Sequence, residues 1–342
     1  MNPQEFSQLT AQCSHAQLNR RSFLKAAALP VGLSALGSLP RLQVQAADKL
    51  VQAPAESLVT TLYKSLTEEQ HELVFMPFDH EKRSQVSANW HITKARVGEH
   101  FTADQQELIK EIFLGLHSPE YQKAVFEQVA WDTDEQGLED CSIALFGKPG
   151  QGKFEFVFTG RHVTRRCDGD SVDGTAFGGP IFYGHQAGRY DEEAPNHPGN
   201  VYWYQAKQAN KVFSMLDGKQ RELALLENAR KERGTATVNL TGKQNNLPGI
   251  PMEALSADQK GEVKNVLADV LAPFRKKDAE EALRLITPQQ FDHLHMAFYQ
   301  NQDLGKDGIW DVWQIEGPAA LIYFRGAPHV HAYVHIKEPQ KA

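Results

Sequence analysis

Apolar positions along this chain recur with two different periods, and the changes of period divide it into elements. Residues 55–73 carry helical spacing, and the capping box Thr67-Glu68-Glu69-Gln70 within them predicts two short helices rather than one. Residues 76–98 are irregular around an isolated Trp90. A second capping box, Thr102-Ala103-Asp104-Gln105, opens a helix with Leu108, Ile109, Ile112, Phe113 and Leu116 on one face. Pro119 starts another helix, ending near Val129.

The period then drops to two. Residues 141–146 and 154–165 read as strands joined by a turn over 147–153, with Phe154, Phe156 and Phe158 on one buried face. A glycine-rich loop spans 168–188, and helical spacing returns over 201–216 and 220–229. A polar loop, 230–250, precedes helices at 256–271, 279–286 and 287–299. Three strands, 309–315, 319–324 and 329–336, close the chain, and no internal repeat emerges from the pattern. Helices grouped around two strand-rich blocks predict an α+β fold. Its antiparallel sheet is expected from a central hairpin and a C-terminal three-stranded meander, with residues 47–342 as one domain.

Charge alters this picture at the N-terminus. Asn19-Arg20-Arg21-Ser22-Phe23-Leu24-Lys25 resembles the twin-arginine export motif, followed by a weakly apolar stretch to Pro40 and by Val44-Gln45-Ala46. Residues 1–46 therefore read as a signal peptide, cleaved after Ala46 or Ala47. Its apolar stretch falls short of the ~20 residues that span a bilayer. The expected partner is the twin-arginine translocase, the expected location periplasmic or extracellular, with no membrane anchor after cleavage. The whole chain of 342 residues carries a net charge of −7, of which residues 1–46 contribute +3, leaving −10. An acidic body without a basic run excludes phosphate-neutralising contact with nucleic acid. Of three cysteines, Cys141 and Cys167 remain after cleavage, as a disulfide pair or as metal ligands.

Two loops imitate ligand sites. Gly147 to Lys153 has P-loop spacing, but Phe154 stands where Ser or Thr would hold magnesium, so a hairpin turn is expected. Asp168-Gly169-Asp170-Ser171-Val172-Asp173-Gly174 lacks the acid placement of a calcium loop and reads as a solvated turn.

Histidines carry the remaining chemistry. His329 and His331 share a strand face at roughly 6.6 Å, close enough for two imidazoles to meet on one metal, whereas His335 lies ~13 Å from His331. His162 shares parity with the phenylalanine row and is the natural third ligand, with His185 on the glycine-rich loop as a fourth candidate. Arg161, Arg165 and Arg166 form a cluster that would bind an anionic small molecule, or else pair with Asp168, Asp170 and Asp173. His293 and His295 are expected to diverge on a helix, and His71, His80, His91, His100, His117 and His197 to lie at the surface.

Phe146-Gly147-Lys148-Pro149, Phe158-Thr159-Gly160-Arg161-His162, Pro180-Ile181-Phe182-Tyr183-Gly184 and His329-Val330-His331, in that order, resemble the bacterial family catalogued as domain of unknown function 3500. The resemblance covers roughly residues 55–337 and implies export, without an established activity. Family members carry a Gly-His-His triplet on the hairpin strand. Here Arg161 replaces the first of those histidines, which points to His185 or Cys167 as a further ligand.

Two functions follow. One is a transition-metal protein, with copper or zinc on His162, His329 and His331 and redox or hydrolytic chemistry. The other is a metal-free module that binds an anionic small molecule through the arginines. A serine hydrolase is disfavoured, since the chain lacks a Gly-x-Ser-x-Gly elbow.

Overall fold

The computed structural model describes residues 54–186, 201–301, 303 and 308–339, so the expected signal peptide and His197 lie outside the described residues. Ten helices and one sheet of eleven strands are present among them, an α+β fold. The strands are β1 Phe75–Met76, β2 Ser142–Gly147, β3 Phe154–Gly160, β4 Val163–Cys167, β5 Ile181–His185 and β6 Leu225–Leu226. They continue with β7 Ile250–Pro251, β8 His295–Tyr299, β9 Val312–Glu316, β10 Ala320–Arg325 and β11 Val330–Ile336. No helix among the described residues is long and apolar enough to cross a membrane.

The strand order, β1-β2-β3-β4-β5-β11-β10-β9-β8-β6, reads the same from both edges. In each half a two-residue strand runs parallel to the first long strand, Phe75 beside Leu145 and Leu225 beside Phe298. Three antiparallel steps then lead inward to β5 or β11, which pair antiparallel with Ile181 opposite Val334. The fold is thus two copies of one unit about a pseudo-two-fold axis at this seam. The expectation of no repeat is corrected, and the central hairpin and C-terminal meander become two four-stranded meanders in one sheet.

The helices repeat as well. Helices Ala55–Ser65 and Glu68–Val74 precede β1, as Tyr204–Met215 and Gly218–Ala224 precede β6. Gln70 and Gln105, each third in a capping box, exchange side-chain amide bonds; Gln70 also donates to His100 O and Gln105 to Ser65 O. In the second half Gln220 and Gln259 do the same, donating to Ala254 O and Met215 O. Each glutamine satisfies its own helix start with Oε1 and locks the neighbouring helix with Nε2.

One face of the sheet packs on the helices, joining Phe156 and Phe158 to Leu62, Ile109 and Phe113. The other face is covered by the irregular segments, where Ile92 N donates to Thr159 Oγ1 and Trp90 Nε1 to Thr164 Oγ1. Covered on both faces, the strands lose the alternation that marks a half-exposed sheet.

Three expectations about elements are corrected. Helix Pro288–Asp292 stops early and His295–Tyr299 becomes β8, because pairing with β9 on one side and β6 and β7 on the other satisfies its main chain. The predicted strand over 154–165 turns at Arg161-His162 and returns as β4. The glycine-rich loop contains β5, where Gly184 lies so close to β11 that a Cβ would sit 2.3 Å from Val330 O.

The duplicated glutamine lock makes a symmetric expectation. Gln105→Ala and Gln259→Ala should each lower the unfolding free energy by about 1–3 kcal/mol, since each removes a buried amide that bonds its own helix start and the neighbouring helix. Urea denaturation of the two variants checks this, and unequal losses would argue against equivalent roles.

Candidate metal centre

His162 reaches its place by a turn and not by strand alternation. Its backbone takes φ +56°, held by its N–H donating to Ala88 O at 2.8 Å and by Gly184 N donating to its carbonyl at 3.2 Å. Left-handed backbone in a non-glycine residue costs free energy, so it persists only where surrounding bonds impose it. His331 sits in β11 between Gly184 of β5 and Arg325 of β10, and His329 precedes it on the same face. The seam therefore carries ligands from both halves to one point.

There the three rings meet, with centroids 4.7–5.1 Å apart. One nitrogen from each of the three lies within 4.8 Å of the others, and the Nε2 atoms of His329 and His331 are 3.0 Å apart. Bonds of about 2.0–2.1 Å to a tetrahedral ion would set such nitrogens roughly 3.3 Å apart. All three residues are buried, at 4%, 7% and 8% exposure.

Carboxylates stand behind two of the rings. Asp132 ends the helix Pro119–Asp132 and places Oδ2 3.1 Å from His162 Nδ1. Its carboxylate also accepts from Gln128 Nε2 at 2.6 Å and from Gln186 N at 3.0 Å. Burial works to raise its pKa, but His162 and His185 outweigh it and hold the carboxyl well below the usual range. Glu232 Oε2 lies 2.6 Å from His331 Nδ1, and its Oε1 accepts from Arg325 Nε at 2.5 Å. Against the opposing effect of burial, His331 and Arg325 bring Glu232 down to about 2.

His329 and His331 are pushed toward the neutral, ligating form. His329 falls to about 2 through burial and the neighbouring His331, His162 and Arg325. His331 falls to about 4 through burial, with Glu232 opposing and Arg325 assisting. His331 Nδ1 meets both Glu232 Oε2 at 2.6 Å and Arg325 Nη2 at 2.5 Å, and in the tautomer that donates Nδ1–H to Glu232 the Nε2 lone pair faces the cluster.

The other predicted site residues are placed elsewhere. His185 directs Nδ1 at Asp132, 3.4 Å from either oxygen, and so stands behind the cluster. Half-exposed Arg161 donates to Gln186 Oε1 at 2.7 Å, at the rim. Arg165 and Arg166 are corrected: adjacent strand residues face opposite sides of the sheet, so they cannot form one anion site. Arg165 is buried in the helix-side core, donating to His117 Nε2 and Phe182 O. Arg166 pairs with Glu155 on the far side and donates to Pro180 O and Gln85 O, so its carboxylate partner is not one of the three aspartates.

Cys141 and Cys167 are both free, which overturns the pairing. Cys141 Sγ packs at Gly160 and Cys167 lies opposite Phe156, four residues or ~13 Å apart along β3. Burial pushes both thiols up, and neither joins the cluster. His335 Nδ1 bonds Val238 O, and His117, expected at the surface, is 2% exposed in the core. Residues Gly147 to Lys153 form the expected hairpin turn, and Asp170 pairs with Lys277.

Asp132, Glu232 and Arg325 escaped the sequence reading. Asp132 follows an exposed Trp131 at a helix end, and Glu232 lies in the polar stretch taken for a surface loop. Nothing local distinguishes them from solvated acids.

A family model described as Protein of unknown function (DUF3500) matches residues 47–339. The chain belongs to this family. No curated protein and no solved structure matches it. Within this DUF3500 chain, three of the four segments that carried the resemblance build the centre, namely β5, the β3–β4 turn and the start of β11, while Phe146 to Pro149 belongs to the β2–β3 turn.

The centre makes the fold sensitive to acid. Two imidazoles held neutral, at about 2 and about 4 against an ordinary 6.5, bind protons only on unfolding over that interval. The unfolded chain binds more protons there, so stability is complete above about pH 6.5 and declines as pH falls toward 4. Urea midpoints measured across this range should fall for the native protein, with a shallower slope for His331→Gln.

Proposed function

We propose that the protein binds a divalent transition metal, zinc in the first instance, at His162, His329 and His331 and uses it in a metal-dependent reaction. The observation that carries the reading is the convergence of three buried imidazoles, two of them backed by carboxylates. Carboxylate–histidine pairing fixes ring orientation and tautomer and raises ligand basicity. Three imidazole nitrogens would leave a tetrahedral ion one open position, the arrangement of catalytic rather than structural zinc. An ion so held supplies a Lewis acid and a bound water acidified toward neutral pH. With no thiolate in the cluster, the preference for copper that Cys167 would have brought is lost, and hydrolytic chemistry is favoured over redox.

Around that position the chain's own groups have separate tasks. Asp132 and Glu232 hold the rings, and Arg325 holds Glu232. The alternative, a metal-free anion module, is weakened because Arg165 and Arg166 are consumed in the core.

Zinc should bind at one ion per chain, measured by elemental analysis and chelator competition. Asp132→Asn and Glu232→Gln should each weaken it by about 10–100-fold, and His329→Ala by more. At a hundredfold excess over Kd, zinc should add about 2.7 kcal/mol of stability, absent in His329→Ala. A folded protein that never takes up metal would end this reading.

We further propose that the chain is exported through the twin-arginine translocase and works outside the cytoplasm, on the support of Arg20-Arg21 and the stretch behind them. Replacing both arginines by lysine should leave the uncut chain in the cytoplasm on fractionation, with metal binding unchanged.

A further inference from the structure

Glu232 reaches the candidate centre from a loop that pairs with no strand. Residues 230–237 lie on the sheet face away from the helices, and their regular structure is the start of a short 3-10 turn, Ala236–Val238. Arg230 fastens this loop through three nitrogens. Its Nε donates to Gln314 Oε1 at 2.9 Å and its Nη2 to Glu316 Oε2 at 2.6 Å, two side chains on one face of β9. Its Nη1 donates to Thr237 O at 2.5 Å, so the same guanidinium ties the two ends of the loop together. Gln314 Nε2 donates to Glu316 Oε2 at 3.0 Å and steadies both acceptors. Tyr323 OH donates to Arg230 O at 3.3 Å, and within the loop Arg233 N donates to Thr237 Oγ1 at 2.8 Å.

Beyond this base the loop makes two contacts. Glu232 Oε2 lies 2.6 Å from His331 Nδ1, and Thr235 Oγ1 accepts from Val86 N at 2.9 Å, outside the centre. Gly234 takes φ +55° beside that second contact, where a Cβ would stand 3.0 Å from Val86 O. Arg325 and His331 grip the Glu232 carboxylate, at the end of a flexible side chain, and neither fixes the backbone that carries it. His335 Nδ1 bonds Val238 O, past the far end of the loop. The stretch next to Glu232 therefore takes its position from Arg230. A carboxylate that orients a ligating imidazole needs a rigid support of its own. A guanidinium offers five donors in a fixed fork and so meets three acceptors at once, a geometry that an ammonium does not keep.

We infer that Arg230 is a positioning residue for the metal centre: it anchors the 230–237 loop to β9 and so brings Glu232 to His331. This rests on the metal reading for its purpose, but the anchoring is observable without metal, at the contact between Thr235 and Val86. Because Arg230 acts on the centre through Glu232, its removal costs no more zinc affinity than the loss of that carboxylate.

The test uses Arg230→Met, which keeps the apolar stem and removes every donor, with Arg230→Lys as a milder change that keeps the charge opposite Glu316. Hydrogen exchange of metal-free protein should show the Val86, Arg233 and Thr237 amides about tenfold faster in Arg230→Met, with those of β3 unchanged. Zinc affinity should fall by about tenfold, within the 10–100-fold expected of Glu232→Gln, and Arg230→Lys should lie between that variant and the native chain. The double variant Arg230→Met, Glu232→Gln should bind zinc as Glu232→Gln does, since both changes interrupt one route. Should Arg230→Met fail to fold by circular dichroism, Arg230→Lys serves for the same comparisons. Native exchange in the loop, undiminished zinc affinity or additive losses in the double variant would each overturn the inference and leave the metal reading standing. Faster loop exchange in a protein whose native form takes up no zinc would refute the metal reading and leave the anchor in place.

Discussion

The antiparallel pairing of β5 with β11 is the interaction on which the rest depends. It joins two pseudo-equivalent meanders into one sheet, and its register sets Gly184 opposite His331. The approach is so close that a side chain at 184 has no room beside Val330 O, and the Gly184 N–H is the group that holds the His162 carbonyl. A one-residue slip would turn His329 and His331 to the other face and break the cluster. One set of main-chain bonds thus determines both the fold's symmetry and the geometry of its site.

Symmetry also shows where the site is not. Across the axis, Ala319 occupies the place of His162 in its hairpin, and Lys337 N donates to the Ala319 carbonyl as Gly184 N does to that of His162. The backbone device is duplicated while the imidazoles are not. A duplicated scaffold keeps its caps and register because every copy needs them to fold, whereas one set of ligands suffices for chemistry. Both halves still contribute: Asp132, His162 and His185 come from the first, Glu232, Arg325, His329 and His331 from the second.

The centre is held by charged and polar groups in an interior that penalises them. Asp132 and Glu232 remain ionised because imidazoles, amides and Arg325 meet them, and His329 and His331 stay neutral because burial discourages a further charge. Removing any one partner would leave another buried and unmet, so these residues support one another more than any pair alone suggests.

Elements governed by near neighbours were legible in the chain: the helices opened by Thr67 and Thr102, the phenylalanine row of β3, the His-x-His pair of β11. Each depends on contacts within about four residues, and the residues themselves state them. What failed was all that rests on distant partners. His295–Tyr299 looked helical until β8 found β9, the duplication was hidden because its halves share caps and register more than residues, and Arg165 and Arg166 were parted by the sheet between them. Glu232 and His331 are 99 positions apart, and only the sheet's register brings them to 2.6 Å. Local order follows from local chemistry; the site exists because tertiary pairing turns chain separations into contacts.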